Sequence, residues 1–176
     1  SFSFFFFLFF FFFLFFFLFS FLFSFSSFLP HCFLFLFAFV LDRITKIAIV
    51  SRIPENTFVE ICPFLYFRNI RNTGICFGFL DNSNYIPFLI VASIIALAFI
   101  FYFVHKKRRI LSCFSMFCFG LVSGGILGNL FDRAGYKGVI DFIDFRIWPV
   151  FNLADAFIVC GVTCLIVFYS RRMDAS

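Results

Sequence analysis

The sequence contains few charged residues. Only 13% of its 176 residues are Asp, Glu, Lys or Arg, about half of the roughly one quarter that a water-soluble domain carries. With 64% hydrophobic residues and a mean hydropathy of +1.10, the chain is excluded from the soluble class. We therefore predict a small multipass membrane protein, in which the net charge of +5 gives no indication of nucleic-acid binding.

The sequence also lacks the motifs of several enzyme classes. There is no Gly-x-Ser-x-Gly, His-Glu-x-x-His or Walker loop, which removes serine hydrolases, zincins and nucleotide-driven enzymes. The seven cysteines include no Cys-x-x-Cys pair, so we predict no metal site. A disulfide between Cys62 and Cys76 is left open.

Residues 1–29 form a low-complexity leader of 18 Phe, 5 Leu and 6 Ser. The codons of all three amino acids can be written with pyrimidines alone. No Lys or Arg precedes Arg43 and the first Met is Met116, so the leader lacks the basic n-region of a signal peptide. We expect it to be non-native sequence, read from pyrimidine-rich DNA. The alternative is an additional membrane helix.

Four apolar runs follow the leader, each about long enough to cross a bilayer. They span residues 32–50, 86–104, 110–131 and 151–169. Basic residues 106–109 link the second and third runs, and Arg171 and Arg172 follow the fourth, so both places belong on the cytoplasmic side. The predicted membrane domain is residues 30–172, with both termini and a tail at 173–176 in the cytoplasm and extracytoplasmic segments at 51–85 and 132–150.

The first outer segment is rich in turn residues such as Pro54 and Gly74, between short runs of β-forming residues. This pattern favours a small sheet over a helix. The second outer segment carries Trp148, which suits the membrane surface. The predicted fold is an all-α membrane protein, a four-transmembrane-helix bundle with a small extracytoplasmic β-containing segment.

Ionisable side chains are costly in membrane helices, so each one is a functional candidate. Asp42 and Lys46 are four residues apart on the first run, and mutual neutralisation is favoured over catalysis. A glycine at every fourth position from 120 to 128 indicates close helix packing. A polar cluster of Asn129, Asp132 and Arg133 follows the glycine repeat. Its two charged members are adjacent and could simply form an ion pair.

Two carboxylates lack such an explanation. Asp141 lies among apolar neighbours, and Asp155 lies about one turn inside the fourth run with Asn152 on the same helix face. If the fold brings the two acids together, burial and mutual repulsion would let them share a proton, as an aspartic peptidase requires. Asp144 could replace Asp141, but the nearby Arg146 suggests a solvated role. The alternative is a small proton-coupled transporter or channel, whose intramembrane acids relay protons.

Four short blocks of sequence together resemble one family. They are Asp-Arg-Ile-Thr-Lys (42–46), Asn-Thr-Gly-Ile-Cys-Phe-Gly (72–78), Gly-Gly-Ile-Leu-Gly-Asn-Leu-Phe-Asp-Arg through Val-Ile-Asp-Phe (124–142), and Phe-Asn-Leu-Ala-Asp (151–155). In this order they resemble lipoprotein signal peptidase, also called signal peptidase II. The sequence departs from the family pattern at Ile75 and Cys76, where small residues are usual, and in the short link of 14 positions between Asp141 and Asp155.

The resemblance implies an aspartic endopeptidase of the bacterial cytoplasmic (inner) membrane, without a cofactor and with its active site near the extracytoplasmic face. It implies that Asp141 and Asp155 are catalytic. Supporting or substrate-binding roles are implied for Asp42, Lys46, Asn72, Gly74, Asn129, Asp132, Arg133 and Asn152. The implied substrates are diacylglyceryl-modified prolipoproteins, cut before the lipid-bearing cysteine amid membrane lipids. The implied inhibitor is the cyclic peptide globomycin, and we expect a monomer.

Overall fold

The computed structural model describes residues 25–74 and 85–174. Its elements in chain order are α1 (Phe25–Arg52), β1 (Phe58–Cys62), β2 (Leu65–Asn72), α2 (Ile86–Lys107), α3 (Cys113–Tyr136), β3 (Val139–Asp144) and α4 (Leu153–Met173). Among the described helices, α2, α3 and α4 are apolar and long enough to cross a membrane. The described chain is therefore mostly helical with one small sheet, as the sequence predicts.

Some predictions fall on residues that the structure does not describe. They concern residues 1–24 of the leader, positions 75 and 76 where the sequence departs from the family pattern, and the end of the tail at 175–176. The Cys62–Cys76 disulfide, which the sequence leaves open, therefore also lies outside the described residues.

Helix α3 forms the centre of the bundle, because α1, α2 and α4 all pack against it. A Cβ atom at Gly120 would lie 2.7 Å from the backbone oxygen of His31, and one at Gly124 would lie 2.5 Å from that of Phe35. Only glycine lets the backbones of α1 and α3 approach this closely. The prediction of close helix packing at the glycine repeat is confirmed.

Helices α1 and α3 extend past the ends of the apolar runs that predicted them. Helix α1 begins at Phe25, inside the leader, and Phe28 is buried against Leu97 and Met116 of α2 and α3. Helix α3 continues to Tyr136 and ends where Lys137 adopts a left-handed conformation, with a φ of 57°. Asp132 and Arg133 consequently belong to α3 rather than to the outer link.

The sheet is antiparallel, and its central strand β2 pairs with both β1 and β3. Strand β3 comes from the second outer segment, for which the sequence predicted only a position at the membrane surface. In this pairing Asp141 lies opposite Ile70, and Val139 lies opposite Asn72. Five of the six β3 residues are buried, so the strand lacks the alternation of polar and apolar residues that reveals a half-exposed strand.

Strand β3 is held against the ends of two helices. The buried side chain of Phe142 clusters with Ile49 and Ile53 at the end of α1, and Phe67 and Leu153 pack against this cluster. The strand therefore lies beside the C-terminal end of α1 and the N-terminal end of α4. This position brings Asp141 to the end of the bundle that carries the polar residues.

Candidate active site

Asp141 is buried on β3, with 3% of its surface exposed. Each of its carboxyl oxygens accepts one hydrogen bond from an amide side chain. Asn72 Nδ2 donates to Asp141 Oδ2 at 2.9 Å, and Asn152 Nδ2 donates to Asp141 Oδ1 at 2.6 Å. Asn72 comes from β2 and Asn152 precedes α4, so three separate segments converge on this carboxyl group.

Asp155 lies in the first turn of α4 and forms a reciprocal cap with Asn152. The Asp155 N–H donates to Asn152 Oδ1 at 3.0 Å, and the Asn152 N–H donates to Asp155 Oδ2 at 3.3 Å. Asn129 Nδ2 of α3 donates to Asp155 Oδ1 at 2.8 Å. Because unpaired N–H groups point outward at a helix N-terminus, this position favours a negative charge.

Asn152 therefore joins the two acids, which are 14 positions apart in the chain. Its amide nitrogen faces Asp141, while its amide oxygen and backbone N–H serve Asp155. Burial, and next the negative charge of Asp155, raise the pKa of Asp141 to about 7, against the hydrogen bonds from Asn72 and Asn152. The structure thus brings together the two acids that the sequence singles out.

A buried cluster of four charged residues lies behind the acids. Lys46 Nζ is 3.0 Å from Asp42 Oδ2 and 2.7 Å from Asp132 Oδ2. Arg43 Nη2 is 3.0 Å from Asp42 Oδ2 and 2.7 Å from Asp132 Oδ1. Both carboxylates are fully buried, and two cations compensate two anions, which reduces the cost of burying them.

The ion pairs in this cluster agree with one of the two predicted pairs and differ from the other. Asp42 and Lys46 are paired as the sequence indicates, but Asp132 forms its ion pairs with Arg43 and Lys46 of α1. Arg43 is absent from the residues selected by sequence. The sequence feature that could have identified Arg43 is its place as a basic residue inside an apolar run. Such a residue is stable in a membrane helix only with a partner.

Lys46 also orients the amide of Asn129. Its Nζ donates to Asn129 Oδ1 at 3.1 Å, in addition to its ion pairs with Asp42 and Asp132. With its oxygen bound to Lys46, Asn129 turns its nitrogen toward Asp155. Similarly, Asn72 Oδ1 accepts from the Gly74 N–H at 3.0 Å, which leaves the Asn72 nitrogen for the acid on β3.

Arg133 supplies a further positive charge at the end of α3. This charge lies close enough to Asp155 to act on it electrostatically. All eight residues with predicted supporting roles therefore lie in the two acids' surroundings or in the charge cluster behind them.

The structure contradicts the solvated role expected for Asp144. Its surface is only 3% exposed, and its Oδ1 accepts from the Arg146 N–H at 2.7 Å. Arg68 Nε is 3.5 Å from its Oδ2. Residues three apart in a strand point to opposite faces, so Asp144 is separated from the face of β3 that carries Asp141.

No group of three or more His, Cys, Asp or Glu side chains among the described residues could hold a metal ion. The chemical groups collected at this end of the bundle are two carboxyl groups, three side-chain amides and the cations behind them. This set can accept, hold and donate protons.

The match to known proteins covers most of the chain. The family described as "Signal peptidase (SPase) II" matches residues 34–171. The chain belongs to this family. Lipoprotein signal peptidases from Syntrophomonas wolfei subsp. wolfei and Aquifex aeolicus are 40% and 41% identical over 134 and 142 residues. The alignments cover 76% and 74% of this chain, and 87% and 80% of those proteins.

A solved structure has a similar fold. It is that of a bacterial membrane enzyme determined by the in meso method at 2.3 Å resolution, with a TM-score of 0.75 and 28% identity. The match covers 83% of this chain and 90% of that one. The protein is thus a bacterial membrane peptidase of the family that cleaves signal peptides from prolipoproteins, and nothing supports the transporter alternative.

Proposed function

We propose that Asp141 and Asp155 are the catalytic pair, and that they cut diacylglyceryl-modified prolipoproteins directly before the lipid-bearing cysteine. The observation that carries this proposal is the contact of Asn152 with both acids. One residue thus hydrogen-bonds to both carboxyl groups and holds them near each other. A site for one water molecule and one peptide bond requires this arrangement.

The surroundings of the two acids support different roles for them. Asp155 lies at a helix N-terminus and accepts from Asn129, which is itself polarised by Lys46. Both features stabilise a carboxylate, so Asp155 is the base. Asp141 is buried on a strand with a pKa of about 7, so it is protonated below that pH, holds the shared proton there and is the acid.

The reaction then proceeds without a cofactor. The Asp155 carboxylate takes a proton from water as the water oxygen bonds to the scissile carbonyl carbon, and Asp141 gives its proton to the carbonyl oxygen. In the second step the C–N bond breaks. The leaving nitrogen takes the proton from Asp155, and a hydroxyl of the intermediate returns one to Asp141. The products are a signal peptide with a carboxyl end and a lipoprotein with a free amine.

We propose that all four helices cross the membrane, with both termini in the cytoplasm. Residues 106–109 and Arg171 and Arg172 then lie on the cytoplasmic side, in agreement with the positive-inside rule. Helix α4 has 21 residues, about 30 Å of rise, which matches the hydrocarbon thickness. Asp155 at its other end therefore lies near the extracytoplasmic boundary, where the scissile bond leaves the bilayer while the diacylglyceryl group stays in it.

Cleavage of matched precursors tests this proposal. The purified full chain in proteoliposomes is incubated with a diacylglyceryl-modified precursor and with the same precursor unmodified. We expect cleavage of the lipidated form only, with the lipidated cysteine as the new N-terminus in mass spectrometry, and inhibition by globomycin. Asp141→Asn and Asp155→Asn should each lower the rate by roughly a thousandfold or more while keeping the thermal unfolding transition. Processing at the parent rate by either variant would falsify the assignment.

One chain supplies every residue of the pair and its supports, so we expect a monomer to be active. Light scattering of the protein in detergent, combined with the activity of the monomer fraction, tests this expectation. Activity confined to a larger species would contradict it.

A further inference from the structure

A cavity of about 500 Å³ lies at the C-terminal end of α2, near the start of α3. It is lined by Tyr102, His105, Lys106, Arg108 and Arg109. None of these lining residues is acidic. The two acids of the active site lie toward the opposite end of α3, so this cavity takes no part in the peptidase site.

The cavity is strongly positive. The sequence contains no Asp or Glu between residues 82 and 131, and Lys106 and Arg109 form no ion pair with any described residue. Cations in the last turn of a helix suit its dipole, which accounts for Lys106. It does not account for Arg109, which follows the helix and lines the same cavity. An anion would balance this charge.

An exposed apolar stripe on α2 leads to the cavity. Its members are spaced by three or four residues and are exposed: Phe88, Val91, Ile95, Phe99 and Tyr102. Lys106 continues this spacing on the same helix face, and Arg109 follows directly after the helix. From Tyr102 to Phe88 the helix rises about 21 Å, more than the roughly 15 Å of hydrocarbon in one leaflet. A ligand that has both an anionic head and long acyl chains matches the positive cavity and the apolar stripe.

We propose that the cavity binds the phosphate-bearing headgroup of an anionic phospholipid, and that the acyl chains of this lipid lie along the α2 stripe. The guanidinium of Arg109 can bind two phosphate oxygens at once. Lys106 Nζ donates to the Tyr102 hydroxyl at 3.2 Å, which holds the ammonium at the boundary between headgroup and acyl chains. This inference does not depend on the catalytic roles of the two acids.

Native mass spectrometry of the full chain tests the proposal with two neighbouring lysines. Lys107 is exposed, carries the same charge as Lys106 and does not line the cavity, so Lys107→Gln is the matched control for Lys106→Gln. The probes are phosphatidylglycerol and phosphatidylcholine with identical acyl chains. We expect the parent to retain phosphatidylglycerol roughly fivefold better or more, Lys106→Gln to lose about fivefold of this binding, and Lys107→Gln to stay within about twofold.

Two further arms separate the alternatives. Arg109→Gln should weaken binding as Lys106→Gln does, with unchanged unfolding transitions for both variants, since both side chains are exposed. Inorganic phosphate at millimolar concentration should leave the bound lipid in place, because it cannot contact the stripe. Equal effects of Lys106→Gln and Lys107→Gln would indicate diffuse surface attraction and overturn the proposal. Displacement by phosphate, or equal retention of the two lipids by the parent, would overturn it as well.

Discussion

Asp42 Oδ1 accepts a 3.1 Å hydrogen bond from the backbone N–H of Ala154, the residue directly before Asp155. Asp132 Oδ2 makes the corresponding contact at 3.2 Å with the N–H of Ile140, directly before Asp141. The two anions of the charge cluster therefore hold the backbone beside each proposed catalytic acid. A change in the cluster should alter the positions of the acids without touching them.

Removal of the Lys46 charge should be strongly destabilising. Lys46→Met leaves two buried carboxylates with Arg43 as the cation paired to both, and an uncompensated buried charge costs about 3–5 kcal/mol. Unfolding of the full chain in mixed micelles measures this loss. The exposed Lys107→Met is the control and should change stability by less than about 0.5 kcal/mol. Equal stabilities of the two variants would contradict the cluster's role.

Asn129→Leu should act on catalysis more than on substrate binding. The substitution removes the donor to Asp155, and a hydrogen bond to a charged group corresponds to about 10- to 100-fold in rate. We expect kcat to fall by this factor with a smaller change in KM, because Asn129 acts through Asp155. Steady-state kinetics with a lipidated precursor separates the two constants. A raised KM with an unchanged kcat would instead indicate direct contact with the substrate.

The pH dependence of kcat/KM should report Asp141. Its raised pKa of about 7 keeps this carboxyl protonated below that pH, so activity should decline as pH rises through about 7 and the acid loses its proton. The hydrogen bond from Asn72 favours the ionised form. Asn72→Leu should therefore raise the pKa further and move the alkaline limb to higher pH. A shift of that limb to lower pH would refute the assignment.

Three glycines of α3 provide a graded test of packing. A Cβ at Gly128 would lie 2.5 Å from Asp42 Oδ2, so Gly128→Ala should cost about 1–3 kcal/mol and also reduce kcat. A Cβ at Gly124 would contact the backbone of α1 at a place away from the acids. Gly124→Ala should therefore lower stability with less effect on kcat. Gly135→Ala meets nothing within 4 Å and should be neutral or stabilising by up to about 1 kcal/mol. Loss of activity in all three variants alike would contradict this order.

Asp144→Asn distinguishes the two acids of β3. Asp144 pairs with Arg68 and Arg146, so its substitution should cost about 1–3 kcal/mol of stability. Below its unfolding temperature the variant should keep the parent rate within a few fold, whereas Asp141→Asn should lose roughly a thousandfold or more. The assay is the cleavage of the lipidated precursor by both variants at one temperature. If Asp144→Asn were inactive and Asp141→Asn active, the catalytic acid of β3 would be Asp144 and not Asp141.

Much of the site can be predicted from sequence, because an ionisable residue is costly to place in a membrane helix and is easily recognised inside an apolar run. Asp42, Lys46 and Asp155 stand out in this way, and the four blocks that resemble signal peptidase II include every predicted supporting residue. Arg43 and Asp144 could not be judged by their chain neighbours. Besides the nearby Asp42 and Arg146, they pair with Asp132 and Arg68 respectively, which lie far along the chain.

The amino-acid order alone determined the membrane class, the apolar helices and the close helix packing at the glycine repeat, since hydropathy, run length and glycine spacing act within a few residues. Tertiary structure decided that β3 joins the sheet, that α3 extends past the apolar run, and that Asn152 contacts both Asp141 and Asp155. These features depend on contacts between distant segments, whose energies appear only when the chain is folded.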